Sequence, residues 1–188
     1  MSTYIKPAFQ IQRVNELENK LAQFREASLE QLIQRPNPKS WSPIEVAKHM
    51  VIGHEAYRNK IDKALQDNST SPIQSEFKAS AMPSFLIKRF PPKDGQIRFK
   101  MKTMKTFKPV FDPSELSKEE SDAILSELEN ALKELKAWVE TYRTKGISLK
   151  KFNSAIGAMV RFNVPEACEF ILCHNERHFL QFEKALNV

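Results

Sequence analysis

At 188 residues the chain has room for one domain with a continuous core and little for a second. Only four glycines, with 41% hydrophobic and 28% charged residues, exclude a low-complexity or disordered chain and suit an ordered helical one. The formal charge of +6 is concentrated: residues 78–108 carry nine Lys or Arg against one acid, Asp94, and the rest of the chain carries 20 basic and 22 acidic side chains.

That segment suits an anionic ligand, a phosphate or an acidic partner, and its plainer reading is a solvated loop. It contains no recognisable nucleic-acid motif, so nucleic acid is not the expected partner. No stretch approaches the roughly 18 apolar residues of a membrane helix. The opening residues have no apolar core of a leader, which predicts a cytoplasmic protein. Cys168 and Cys173 lie five apart on an expected helix, farther than the roughly 7 Å a disulfide spans. Two unpaired structural thiols fit a reducing compartment.

Val14, Leu17, Leu21, Phe24 and Leu32 recur at helical spacing, interrupted only by Ser28, and predict a first amphipathic helix over residues 8–34. Pro36 and Pro38 end it. Ser42, Pro43 and Glu45 form a capping-box signature opening a second helix over residues 43–66. Its stripe runs Ala47, Met50, His54, Tyr57, Ile61, Leu65, and Asp67-Asn68-Ser69 closes it.

Residues 69–114 hold no helical period and contain six prolines. So long a connection suits a lid or a covering of a site. Within it Ile97, Phe99 and Met101 alternate with basic residues, as a short strand or an extended piece lying on the bundle would. A third helix is expected over residues 115–145, with Leu125, Leu128, Leu132, Leu135, Val139 and Tyr142 on one side. After a linker containing Phe152, Ile156 and Gly157, a fourth helix is expected over residues 164–186. The prediction is all-α: a four-helix bundle spanning residues 1–188 as one domain, with a long crossover loop between helices 2 and 3.

The histidines are 49, 54, 174 and 178. His174 and His178 are four apart on the last helix, so both imidazoles project from one face within reach of one ion. Imidazole is a common ligand of zinc, nickel, copper and iron. The pair is not the zincin motif, because Glu176 sits about 200° round the helix from His174. A third ligand must come from the second helix. His54 lies on its apolar stripe and His49 at the edge, and spacing leaves the choice open. The two are about 140° apart and unsuited to sharing one metal.

Trp41-Ser-Pro-Ile-Glu-Val-Ala-Lys-His49-Met resembles the W-[ST]-x-x-E-x-x-x-H-[LM] signature of the DinB/YfiT-like superfamily of metalloenzymes. The segment from Glu166 through His174-Asn-Glu-Arg-His178-Phe-Leu-Gln181 is similar to that family's last helix, with its H-x-x-[RH]-H-x-x-Q pattern. The stretch from Lys105 to Pro113 also resembles the one before its third helix. The resemblance implies a metal site of His49, His174 and His178, filled by a divalent ion, zinc or nickel, with coordination positions left open. It further implies a small-molecule substrate, and thiol S-transfer with a low-molecular-weight thiol or hydrolysis. His54 is then a core or interface histidine. Trp41 packs at the start of the second helix, a position that also suits a pocket wall, and Gln181, one turn beyond His178, either supports that histidine or caps the stripe. A homodimer is compatible with a small bundle. The alternative from another class is a binding module that uses the basic loop 78–108 for nucleic acid or an acidic partner.

Overall fold

The computed structural model describes residues 3–67 and 72–187, apart from the side chain of Ala158. The strand β1 (Tyr4–Ile5) precedes α1 (Pro7–Phe24), and a short α2 (Leu29–Ile33) precedes α3 (Pro43–Leu65). The crossover holds β2 (Phe77–Lys78) and α4 (Ala81–Arg89). Next come α5 (Lys118–Thr144), a hairpin of β3 (Phe152–Ser154) and β4 (Gly157–Phe162), and α6 (Val164–Leu186). The expected four-helix bundle is made of α1, α3, α5 and α6, which neighbour one another in the ring order α1–α5–α3–α6.

Side-chain pairs give the directions. Arg13 meets Glu169 and Lys20 meets Glu183, so α1 and α6 run parallel. Lys48 meets Glu127 and Trp138 meets Asp62, so α3 and α5 are parallel neighbours too. Tyr142 meets Gln10 and Arg25 meets Glu129, so α1 opposes α5. Parallel neighbours cannot be joined by a tight turn, which is why a long crossover separates α3 from α5.

The core is the expected one. Val14, Leu17 and Leu21 of α1, Met50 and Ile61 of α3, and Leu125, Leu128, Leu132 and Leu135 of α5 are all buried. Each such side chain contributes about 1.5–3 kcal/mol by leaving water. Phe24 stacks on Phe182 with ring centroids 4.4 Å apart, locking α1 to α6.

Three expectations are corrected. The first helix is not continuous over residues 8–34. It ends at Phe24, and Ser28 starts α2 by accepting from the Gln31 N–H while Gln31 accepts from the Ser28 N–H. The single break in the stripe was a helix start, because a serine side chain satisfies an orphan N–H better as a cap than inside a helix. Residues 69–114 are not free of helix. In α4, Pro83, Leu86 and Ile87 are buried, with Phe90 just after the helix. Nine residues are too few to establish a period against flanking prolines. The third helix starts at Lys118, not 115: Ser117 caps it, and Pro113–Glu115 form a short 3-10 turn.

The linker before the last helix is the antiparallel β3–β4 hairpin, and β1 pairs with β2, so among the described residues two small two-stranded sheets decorate the helical frame. Of the two readings for residues 97–101, the extended piece holds: no strand forms, and Ile97 and Phe99 are half-buried between exposed neighbours. The expected closure of α3 at Asp67-Asn68-Ser69 falls partly outside the described residues, and the helix ends at Leu65.

Candidate metal centre

Position and orientation of the site begin with the N-terminus of α3. Ser42 accepts from the Glu45 N–H, and Glu45 accepts from the Ser42 N–H at 2.8 Å. Arg35 grips the Glu45 carboxylate with two donors at 2.6 and 2.8 Å. Burial raises the Glu45 carboxyl pKa, but Arg35 and Ser42 more than offset it, so the group stays below its usual range. This fixes the first turn of α3, and with it Trp41 and His49, whose rings lie 5.0 Å apart.

Because α3 runs antiparallel to α6, His49 comes opposite His174 and His178. One nitrogen from each of the three lies within 4.8 Å of the others. His49 and His174 present their Nε2 atoms to one another at 3.3 Å. His49 Nδ1 is 2.6 Å from the Phe107 carbonyl, which can only accept, so Nδ1 carries the proton and Nε2 holds a free lone pair toward His174. Two nitrogens on a tetrahedral ion at 2.0–2.1 Å are about 3.3–3.4 Å apart, so the observed spacing fits one cation.

Burial disfavours the charged form of all three imidazoles. For His174, burial and then the neighbouring His49 bring the pKa down to about 3. His178 is driven well below the usual value by burial, then by His174 and His49. His49 is lowered by burial against the favourable Phe107 contact. Neutral imidazoles are the form that binds metal. His178 Nδ1 and Gln181 Oε1 are each buried without an aligned partner, yet Gln181 is close enough to favour the charged His178. The residues present therefore fit a divalent ion.

The site opens into a cavity of about 570 Å³, within the range of small-molecule pockets. Trp41, Phe90 and Phe107 supply apolar wall, so of the two places open to Trp41 the cavity wall is one it occupies. Among the described residues, no Asp or Glu lines the cavity. Glu176 is turned away, bound to Arg13 at 2.6 and 2.8 Å, and cannot act as a zincin-type base.

His54 is elsewhere. Its Nε2 is 2.6 Å from Glu134, which also accepts from Arg58, and its ring stacks on Trp138 at 4.7 Å. It is 1% exposed and joins α3 to α5. Cys168 and Cys173 are buried free thiols, both with pKa raised by burial. Two contributors had no sequence signal strong enough to single them out. Gly53 of α3 faces His174, and a Cβ there would lie 3.3 Å from His174 Cε1. Phe107 acts through its carbonyl, which any residue would supply.

No protein-family model matches the sequence, and no curated protein matches it either. A solved structure does: YfiT from Bacillus subtilis, described as a probable metal-dependent hydrolase with an unusual four-helix bundle topology. The match has a TM-score of 0.56 and 16% identity, and covers 95% of this chain and 85% of that one. The chain has the YfiT fold. A four-helix bundle of unusual topology is thus a known arrangement. None of the helices is long and apolar enough to cross a membrane, among the described residues.

Proposed function

We propose that this chain is a metal-dependent enzyme in which His49, His174 and His178 hold one divalent ion, zinc or nickel. The observation that carries the reading is the convergence of three neutral imidazoles, with no fourth His, Cys, Asp or Glu in the group, beside an open cavity. Three-nitrogen sets with open positions are typical of catalytic sites, whereas structural zinc sites are closed by four protein ligands. A bound ion supplies Lewis acidity and lowers the pKa of a water or thiol beside it. His49 is oriented by the Phe107 carbonyl, and His174 and His178 by the rigid turn of α6 that bears them. The description of YfiT as a probable metal-dependent hydrolase supports hydrolysis. The resemblance around Trp41–His49 supports thiol S-transfer with a low-molecular-weight thiol as the other member of the same class. We place the enzyme in the cytoplasm.

Elemental analysis of the purified protein, beside His174→Ala, tests this. We expect about one zinc or nickel per chain in the wild type after supplementation, and a large loss in the variant. A wild type that takes up no stoichiometric metal sinks the proposal. A panel of ester and amide substrates, with and without added thiol, then separates hydrolysis from transfer. Titration with duplex DNA at low salt addresses the binding-module alternative, and we expect no affinity.

A further inference from the structure

The cavity contains a buried cation that has no counter-charge among the described residues. Arg177 precedes His178 on α6 and is 9% exposed. One N–H donates to the Phe99 carbonyl, and the guanidinium carbon lies 5.5 Å from the Phe90 ring centroid. Among the described residues, no carboxylate pairs with it. Arg13, less buried, is bound by both Glu169 and Glu176, at 2.5 and 2.6 Å. Arg35 and Arg58 likewise have Glu45 and Glu134. A guanidinium offers five donors in a fork shaped for carboxylate or phosphate, and the Phe99 carbonyl engages only part of that capacity. Buried charges are normally paired, so the exception marks a place for an anion.

The surroundings agree. Lys39, Lys102 and Lys184 also line the cavity, are exposed, and have no carboxylate partner among the described residues. Without any lining acid, the field inside is of one sign and attracts anions. The wall between Arg177 and the imidazoles is apolar: the Phe90 ring that faces the guanidinium is 6.4 Å from His174. We propose that Arg177 anchors an anion subsite, and that the cavity takes a small organic acid with a carboxylate or phosphate on an apolar body. The acid group sits on Arg177 and the body lies along Phe90, so the far end of the molecule reaches the three histidines. The substrate class rests on the cavity being the site proposed above, whereas the subsite itself does not require metal.

The test compares phenylpropionate and phenyl phosphate with neutral phenylpropionamide, binding being read from Trp41 fluorescence on chelator-stripped and on zinc-supplemented protein. On stripped wild type, at least one acid should bind about tenfold or more tightly than the amide, the margin of a charge-assisted bidentate contact. The stronger acid names the head group. Arg177→Gln should erase the preference and Arg177→Lys should keep part of it, with folding checked by circular dichroism. Equal binding of acid and amide to wild type overturns the proposal without recourse to any variant. So does failure of all three to bind at millimolar concentration, or a preference that survives in folded Arg177→Gln. A preference seen only after zinc addition assigns the acid to the ion and removes Arg177 from its role, leaving the metal reading intact. A preference in protein that never takes up metal leaves the subsite standing while the metal reading fails.

Discussion

Gly53 of α3 faces His174 of α6 so closely that a Cβ on residue 53 would lie 3.3 Å from His174 Cε1. A glycine inside a helix costs roughly 1 kcal/mol relative to alanine. Here the missing side chain lets an imidazole stand in its place. Gly53→Ala should therefore separate stability from function. The metal-free protein should melt at the same temperature or slightly higher, because the helix gains alanine and His174 is at the flexible end of its own side chain. Metal affinity, measured by competition with a chromophoric chelator, should fall about tenfold, since a site tolerates only about 0.5 Å of ligand displacement. Unchanged affinity would show that His174 can yield without disturbing the site.

Acidification should weaken the metal-free protein. His174 has an ordinary pKa near 6.5 when unfolded and about 3 when folded, and His49 and His178 shift in the same direction. Below pH 6.5 the unfolded chain binds more protons than the folded one, so stability is full above that value and is lost as pH falls toward 3. Each imidazole contributes up to about 1.4 kcal/mol per pH unit in that window. Urea titrations between pH 7 and 4 should show this slope, and His174→Gln should make it shallower. Because burial keeps the His174 lone pair free of a proton until pH nears 3, His174 should remain open to metal over this range for as long as the fold holds. A flat stability profile would contradict the neutral, desolvated histidines described above.

His54 and the metal centre should be independent. His54→Ala removes a buried ring stacked on Trp138 and the bond to Glu134. We expect a loss of about 2–4 kcal/mol in urea unfolding, combining a cavity with a lost charge-assisted hydrogen bond. Metal content per folded chain should stay at the wild-type level. A stable variant that has lost its metal would move the third ligand from His49 to His54.

Gln181 should act on the ion through His178. Its Oε1 and the His178 Nδ1 are both buried and lack aligned partners. Partners of ligand histidines fix the ring and raise its basicity, and their loss costs about 10–100-fold in metal affinity. Gln181→Leu should fall in that range while keeping the fold, as judged by circular dichroism and by the stoichiometry at saturating metal. Full affinity in Gln181→Leu would reduce the residue to a wall of the cavity.

What the sequence determined by itself was the frame. The capping box at Ser42, the prolines after α2, and the leucine stripe of α5 are local signals, and local physics decides them. His174 and His178 were a pair on sequence grounds for the same reason, since four residues on one helix set their direction. The break at Ser28 and the short α4 were hidden because one cap or a few apolar residues carries too little signal against its surroundings. The partner of the histidine pair was beyond the reach of periodicity. Two faces of α3 are covered, one by α5 and one by α6, so the apolar stripe with His54 and the edge with His49 are both interfaces. Only the antiparallel docking of α3 on α6 decided which histidine met the pair. The same docking brought in Gly53 by what it lacks, the Phe107 carbonyl by its position alone, and Arg177 beside a cavity that no carboxylate enters. Those contributions depend on which surfaces meet, and that is a property of the packed chain.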